Sequence, residues 1–210
     1  MKNRYCVCIT YKCDWDCSYC IVDTHNQPEP DKEDIFEYLN NIPVGSRVSL
    51  AGGEPGMVSK NYLLKIIDIS ITRKFDLAMD TNGLFFKRYP ELVKYFNYFF
   101  YHCSDTLHIK DIFRPDIDAD IDYVIVASDD NYHLVKDFLE YNNDLEINVH
   151  KAIKNQNPKR TQLSTKNALK LYKEIKHLIP SNSIMHLIGE TSSTDKDIKV
   201  LGTHLDACNK

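Results

Sequence analysis

Residues 47–71, RVSLAGGEPGMVSKNYLLKIIDISI, decide the fold. RVSLAG is a short, largely apolar run closed by glycine, the pattern of a strand. Ser59 then caps a stretch in which Leu63, Leu64, Ile66, Ile67 and Ile71 supply a helical apolar face. A strand ending at Gly52, a tight turn and a helix make one βα unit. Sheets built from such units are parallel.

The same alternation runs outward in both directions. RYCVCIT, Arg4 to Thr10, reads as the first strand, and a helix starts from about Asp31, which pairs with Asp34 as a cap before Ile35, Phe36, Leu39 and Ile42. FDLAMDTNG is a third strand, and Pro90 stands as the first-turn residue of the next helix. NYFFYHCS, DYVIVAS and EINVHKAI are strands four to six, and the last two are followed by helices over 131–141 and 165–179. In the latter, Ala168, Leu171, Tyr172, Ile175 and Ile179 keep a period near 3.6. Residues 104–121 are expected to be irregular.

Six βα units place the chain in the α/β class, as a partial (β/α)6 TIM-like barrel of parallel strands. A single domain is expected over 1–210, with its core at 4–179 and a C-terminal extension at 180–210 holding an edge strand, SIMHLI, Ser183 to Ile188. Such folds bind ligands at the carboxyl ends of their strands. Three polar motifs fall there: the loop after strand one, GGEP after strand two and DTNG after strand three.

The chain has 210 residues and a net charge of −4, which argues against strong overall attraction to nucleic acid. Its basic residues gather in 151–177, where Lys151, Lys154, Lys159, Arg160, Lys166, Lys170, Lys173 and Lys176 face one acid, Glu174. A solvated helix face is the favoured account, although the stretch would suit a phosphorylated small molecule or a nucleic acid. DIDADID, Asp116 to Asp122, lacks the glycine and terminal glutamate of a calcium loop and is expected to be a solvated turn. Neither a signal peptide nor an eighteen-residue apolar run is present, so a cytoplasmic protein without membrane contact is expected. In a reducing compartment, seven cysteines are poor material for disulfides.

Three of them lie in CDWDCSYC, as Cys13-x3-Cys17-x2-Cys20. A four-iron cluster and a structural zinc both need four ligands, so three thiolates leave one position open or filled from elsewhere. With His25 as the fourth ligand the motif would be a Cys3His zinc site, making the chain a zinc-stabilised binding module. Three unrelated buried thiols are a further alternative. Cys6, Cys8, Cys103 and Cys208 are taken as structural.

Cys13, Cys17 and Cys20, with Tyr19 before the last cysteine and GGEP one βα unit later, resemble the signature of the radical S-adenosylmethionine (radical SAM) superfamily. The resemblance implies an enzyme in which these cysteines hold a [4Fe-4S] cluster while S-adenosylmethionine takes the open iron. It further implies cofactor contacts from Tyr19, Gly52, Gly53, Glu54 and Pro55, with Glu54 receiving the methionyl ammonium. Thr81 and Asn82 of the TNG turn, and Ser104, Asp105 and Ser128 after strands four and five, are expected near the cofactor. Reductive cleavage to a 5′-deoxyadenosyl radical follows, with an electron donor such as flavodoxin or ferredoxin.

The substrate expected is a small molecule, nucleotide-like or pterin-like. The alternative is a macromolecule, as in activating enzymes that modify proteins. The chain is weakly similar to 7-carboxy-7-deazaguanine synthase, which carries Asp-Thr directly after its last cysteine, the threonine helping to bind Mg2+. Here Asp23-Thr24 is displaced by two residues. Thr24 and His25 are accordingly candidate substrate contacts.

Overall fold

The computed structural model describes residues 3–20, 22, 27–104, 107, 112–152 and 161–180, and the backbone of the strand 198–201. Seven parallel strands form one open sheet: β1 (Arg4–Thr10), β2 (Arg47–Gly52), β3 (Asp76–Thr81), β4 (Tyr98–His102), β5 (Asp120–Ala127), β6 (Ile147–Lys151) and β7 (Ile198–Leu201). Their spatial order is β6-β5-β4-β3-β2-β1-β7, the unclosed order of a partial barrel. The expected edge strand at Ser183–Ile188 lies outside the described residues. The strand observed at that edge, β7, pairs with Arg4 to Val7 of β1.

Local chemistry accounts for the helices. α1 (Lys32–Asn41) is capped by the Asp31 carboxylate, which accepts from the Glu33 and Asp34 amides, the latter at 3.4 Å. α2 (Lys60–Thr72) is capped by Ser59 and buries Leu63, Ile66 and Ile67, each contributing about 1.5–3 kcal/mol over exposure. Ile71 departs from expectation. It is 60% exposed, because the last inward position of α2 belongs to Ser70, whose hydroxyl donates to the Ile66 carbonyl.

Between β3 and β4 the chain does not make one helix from Pro90. A five-residue α3 (Leu84–Arg88) precedes a separate 3-10 turn, Pro90–Tyr95. Tyr89, at φ −136° and ψ 50°, breaks the two apart, since the residue before proline is disfavoured in the helical region. α4 (Tyr132–Tyr141) and α5 (Thr165–Ile175) follow β5 and β6. Residues 112–119 are irregular, as expected, but DIDADID is not wholly a turn: its last three residues enter β5, where Asp120 and Asp122 pair with Tyr98 and Phe100. Among the described residues no helix is long and apolar enough to cross a membrane.

The two faces of the sheet differ. Val7, Ile9, Leu50, Leu77, Met79, Phe99, Ile125 and Val149 are buried in the core beneath the helices. The alternate positions point into the barrel lumen, and there Cys6, Cys8, Ser49, Asp80, Phe100, His102, Val126 and His150 are only half-buried. On α5 and at its C-cap, Lys166, Lys170, Lys173 and Lys176 are exposed, the solvated face expected; Lys154, Lys159 and Arg160 lie outside the described residues.

Candidate functional site

The three motifs meet at the carboxyl ends of β1, β2 and β3, and backbone bonds splice the first two. The Gly53 amide donates to the Thr10 carbonyl and the Glu54 amide to the Lys12 carbonyl, both at 2.7 Å. This close approach is what the glycines serve. Gly52 sits at φ +117°, and a Cβ there would lie 2.3 Å from the Thr10 carbonyl oxygen; one on Gly53 would lie 2.1 Å from that of Lys12. Each clash is with backbone, which cannot swing aside. Gly53→Ala should therefore cost about 2–4 kcal/mol of stability and halve or worse the iron taken up on reconstitution, read by urea unfolding and iron analysis. An alanine variant as stable as the parent would contradict this account.

Glu54 ties the second motif to the third. It is 1% exposed. Its carboxylate accepts from the Gly56 amide at 2.7 Å, the Asn82 amide at 2.7 Å and the Thr81 hydroxyl, 3.0 Å from both oxygens. Burial pushes its pKa up to about 7, against the pull of the Asn82, Gly56 and Thr81 hydrogen bonds. Asn82 then reaches into the cysteine loop, its side-chain amide donating to Asp14 at 2.7 Å, while its own oxygen accepts from the Leu84 amide. Gly56, rather than Pro55, meets the next motif: a Cβ on it would lie 2.7 Å from the Phe85 nitrogen. Pro55 opens a 3-10 turn and is buried.

The cysteine loop is held at several points. Cys13, Cys17 and Cys20 are all half-buried, and the Cys20 amide donates to the Cys17 carbonyl at 3.0 Å. Burial, aided by Asp14, Glu54 and Cys17, pushes the metal-free Cys13 thiol up to about 12. Tyr19 places its hydroxyl between the Cys17 thiol and Ser104, and its acidity is suppressed first by burial, then by the neighbouring cysteines. Ser104 in turn accepts from the Val126 amide at 2.7 Å. The Ser128 hydroxyl is buried and has no hydrogen-bond partner among the described residues, an orphaned polar group at the carboxyl end of β5. Thr24, His25 and Asp105 lie outside the described residues.

Three holding residues were not expected from the sequence. Glu29 accepts from the Thr10 hydroxyl at 2.6 Å and the Tyr11 amide at 2.9 Å, fixing the loop's entry. Asp14 receives Asn82. Thr161 donates its amide to the Ser18 carbonyl at 2.7 Å, and its hydroxyl lies 2.9 Å from both Ser18 Oγ and Asp130.

An open parallel sheet whose strand ends gather three cysteines, a buried glutamate and a hydroxyl without a partner defines a cofactor site of an α/β enzyme. Residues 7–104 match the model of the Radical SAM superfamily. Its cofactors are a [4Fe-4S] cluster and S-adenosylmethionine. The donor set suits them: three cysteines in one loop, beside a carboxylate and a hydroxyl that has no partner among the described residues.

Among curated proteins, the GTP 3′,8-cyclase of Nautilia profundicola is 32% identical over 101 residues, covering 42% of this chain and 30% of that protein. A solved structure of native anSMEcpe with bound AdoMet and Cp18Cys peptide superposes with a TM-score of 0.61 at 12% identity, over 84% of this chain and 59% of that one. Streptococcus suis SuiB bound to S-adenosylmethionine gives 0.57 at 12% identity, over 97% and 51%. The chain thus spans under a third of the curated relative and little over half of the two solved chains.

Proposed function

We propose that the chain is a radical SAM enzyme acting on a small, nucleotide-like or pterin-like molecule, with Cys13, Cys17 and Cys20 as the cluster ligands. The observation that carries this reading is the hydrogen-bonded chain from Asp14 through Asn82 to Glu54, which binds the cysteine loop to the GGEP and TNG turns. Bound there, the cofactors supply one-electron cleavage of S-adenosylmethionine to methionine and a 5′-deoxyadenosyl radical that takes hydrogen from the substrate. The electron comes from a flavodoxin-like or ferredoxin-like donor.

The chain's own residues position and enclose. Tyr19 closes the loop against Ser104 and Glu54 holds the turn, and Ser128 and Glu54 would hold the ribose and the methionyl ammonium of S-adenosylmethionine. Water is kept away by the buried strand ends, which a radical site requires. The small-molecule class is taken from the GTP 3′,8-cyclase likeness.

Metal content separates this reading from a zinc site at Cys13, Cys17, Cys20 and His25. Anaerobic reconstitution should give a brown protein with about four irons per chain that releases 5′-deoxyadenosine when reduced with S-adenosylmethionine present. A colourless protein holding one zinc and ignoring S-adenosylmethionine would end this reading.

A further inference from the structure

The lumen face carries three half-buried carboxylates, and their environments differ. Asp76, at the amino end of β3, is bound by Arg47, whose Nε lies at 2.9 Å and Nη2 at 2.8 Å. Asp122 on β5 accepts from Asn148 of β6 and is hydrogen-bonded to Tyr98 of β4. Asp80 has a single partner among the described residues, the Ser49 hydroxyl at 3.1 Å to one oxygen. Strand alternation puts this carboxylate on the lumen face, and among the described residues no cation pairs with it.

Its position adds to the case. Asp80 stands two residues before Asn82, so it lies about 7 Å below the rim where Asn82 meets the cysteine loop. It pairs in register with Phe100, and His102 is the next lumen residue along β4, level with Val124. His102 makes no hydrogen bond through its ring among the described residues, and burial and nearby His150 push its pKa down to about 4, so it is neutral. A neutral imidazole offers one donor and one acceptor. The site therefore combines an acceptor-only group, a donor and acceptor on the neighbouring strand, and a half-buried aromatic ring.

Resting on the radical SAM reading above, we propose that Asp80, with His102 beside it, binds the substrate by a cyclic amidine edge, the adjacent ring N–H and exocyclic amine that guanine and pterin rings present. A carboxylate receives two such neighbouring donors in one plane, and an analogue without the exocyclic amine leaves one oxygen dry and unpaired. A free cation would not need the neutral histidine; a hydrocarbon would not tolerate the carboxylate.

The test uses the reconstituted protein with S-adenosylmethionine and two probes, guanosine triphosphate and inosine triphosphate, which differ by that amine. The expected result is at least about tenfold tighter binding of the guanosine compound, and loss of the difference in Asp80→Asn. Equal binding of the two, no binding of the guanosine compound, or discrimination that survives in the variant would each overturn the proposal.

Melting temperature keeps the variant interpretable. Burial holds the Asp80 carboxyl up at about 6, Ser49 pulling it back, on a face whose other titratable groups include Cys6, Cys8, Arg47, Asp76, Tyr98, His102, Asp120, Asp122 and His150. With a folded pKa above the unfolded value, the free protein loses stability as pH rises from about 4 to 6. Asp80→Asn should therefore melt a few degrees higher at pH 7.5. A lower melting temperature would make Asp80 a structural carboxylate and sink the assignment. Release of 5′-deoxyadenosine from the same preparation separates the two readings: cleavage without discrimination removes the amidine site alone, whereas absent cleavage removes the radical SAM reading.

Discussion

Cys17→Ala yields a protein that holds no [4Fe-4S] cluster after reconstitution and releases no 5′-deoxyadenosine above background. With three thiolates and an open fourth position there is no spare ligand, so removing one leaves two, too few to retain four irons. Cys8 and Cys103 are held within the sheet and do not substitute. Cys8 donates to the Thr10 carbonyl from within β1, its thiol pushed up to about 11 mainly by burial, and Cys103 is buried at the end of β4. The loss should be of iron rather than of fold, because Cys17 lies in a loop outside the apolar core. Cys208→Ala is the control and should keep both iron and cleavage. Iron analysis and the visible spectrum decide it: about four irons retained by Cys17→Ala would show that the cluster ligands are misassigned.

Much of this architecture was legible because its causes are local. Strand ends at Thr10, Gly52 and Thr81, and caps at Asp31 and Ser59, follow from residue periodicity and short-range hydrogen bonds. The close approach at the GGEP glycines was not legible, because its partner is the backbone of Thr10 and Lys12, which no local pattern names. The holding contacts were illegible for the same reason. Asp14 and Asn82 are 68 residues apart, and Thr161 and Ser18 are 143 apart, so neither pair leaves a periodic trace. Lumen polarity was hidden too. Asp80 and His102 look like ordinary strand residues until the sheet curls and puts them on one face.

That distinction bears on Glu54, which the family resemblance marks as a cofactor contact and the structure shows as a brace between two loops. Glu54→Ala removes the acceptor of the Gly56 amide, the Thr81 hydroxyl and the Asn82 amide, each buried or half-buried. Leaving each unsatisfied costs about 1–3 kcal/mol, and the released burial cost of the carboxylate offsets part of that above pH 7. A net loss of about 2–4 kcal/mol is expected for the cluster-free protein at pH 8, measured by urea unfolding.

The pH dependence follows from the raised pKa. Folded Glu54 binds its proton up to about 7, whereas a free glutamate releases it near 4.5, so the parent's stability falls as pH rises through that window. The alanine variant lacks this dependence. The gap between the two should thus be wider at pH 5 than at pH 8, by up to about 3 kcal/mol. If Glu54 served the cofactor alone, Glu54→Ala would lower S-adenosylmethionine affinity yet unfold like the parent at both pH values. Hydrogen exchange gives the structural readout: with the Asn82 brace gone, amides of the cysteine loop should exchange faster in the variant, before any iron is added.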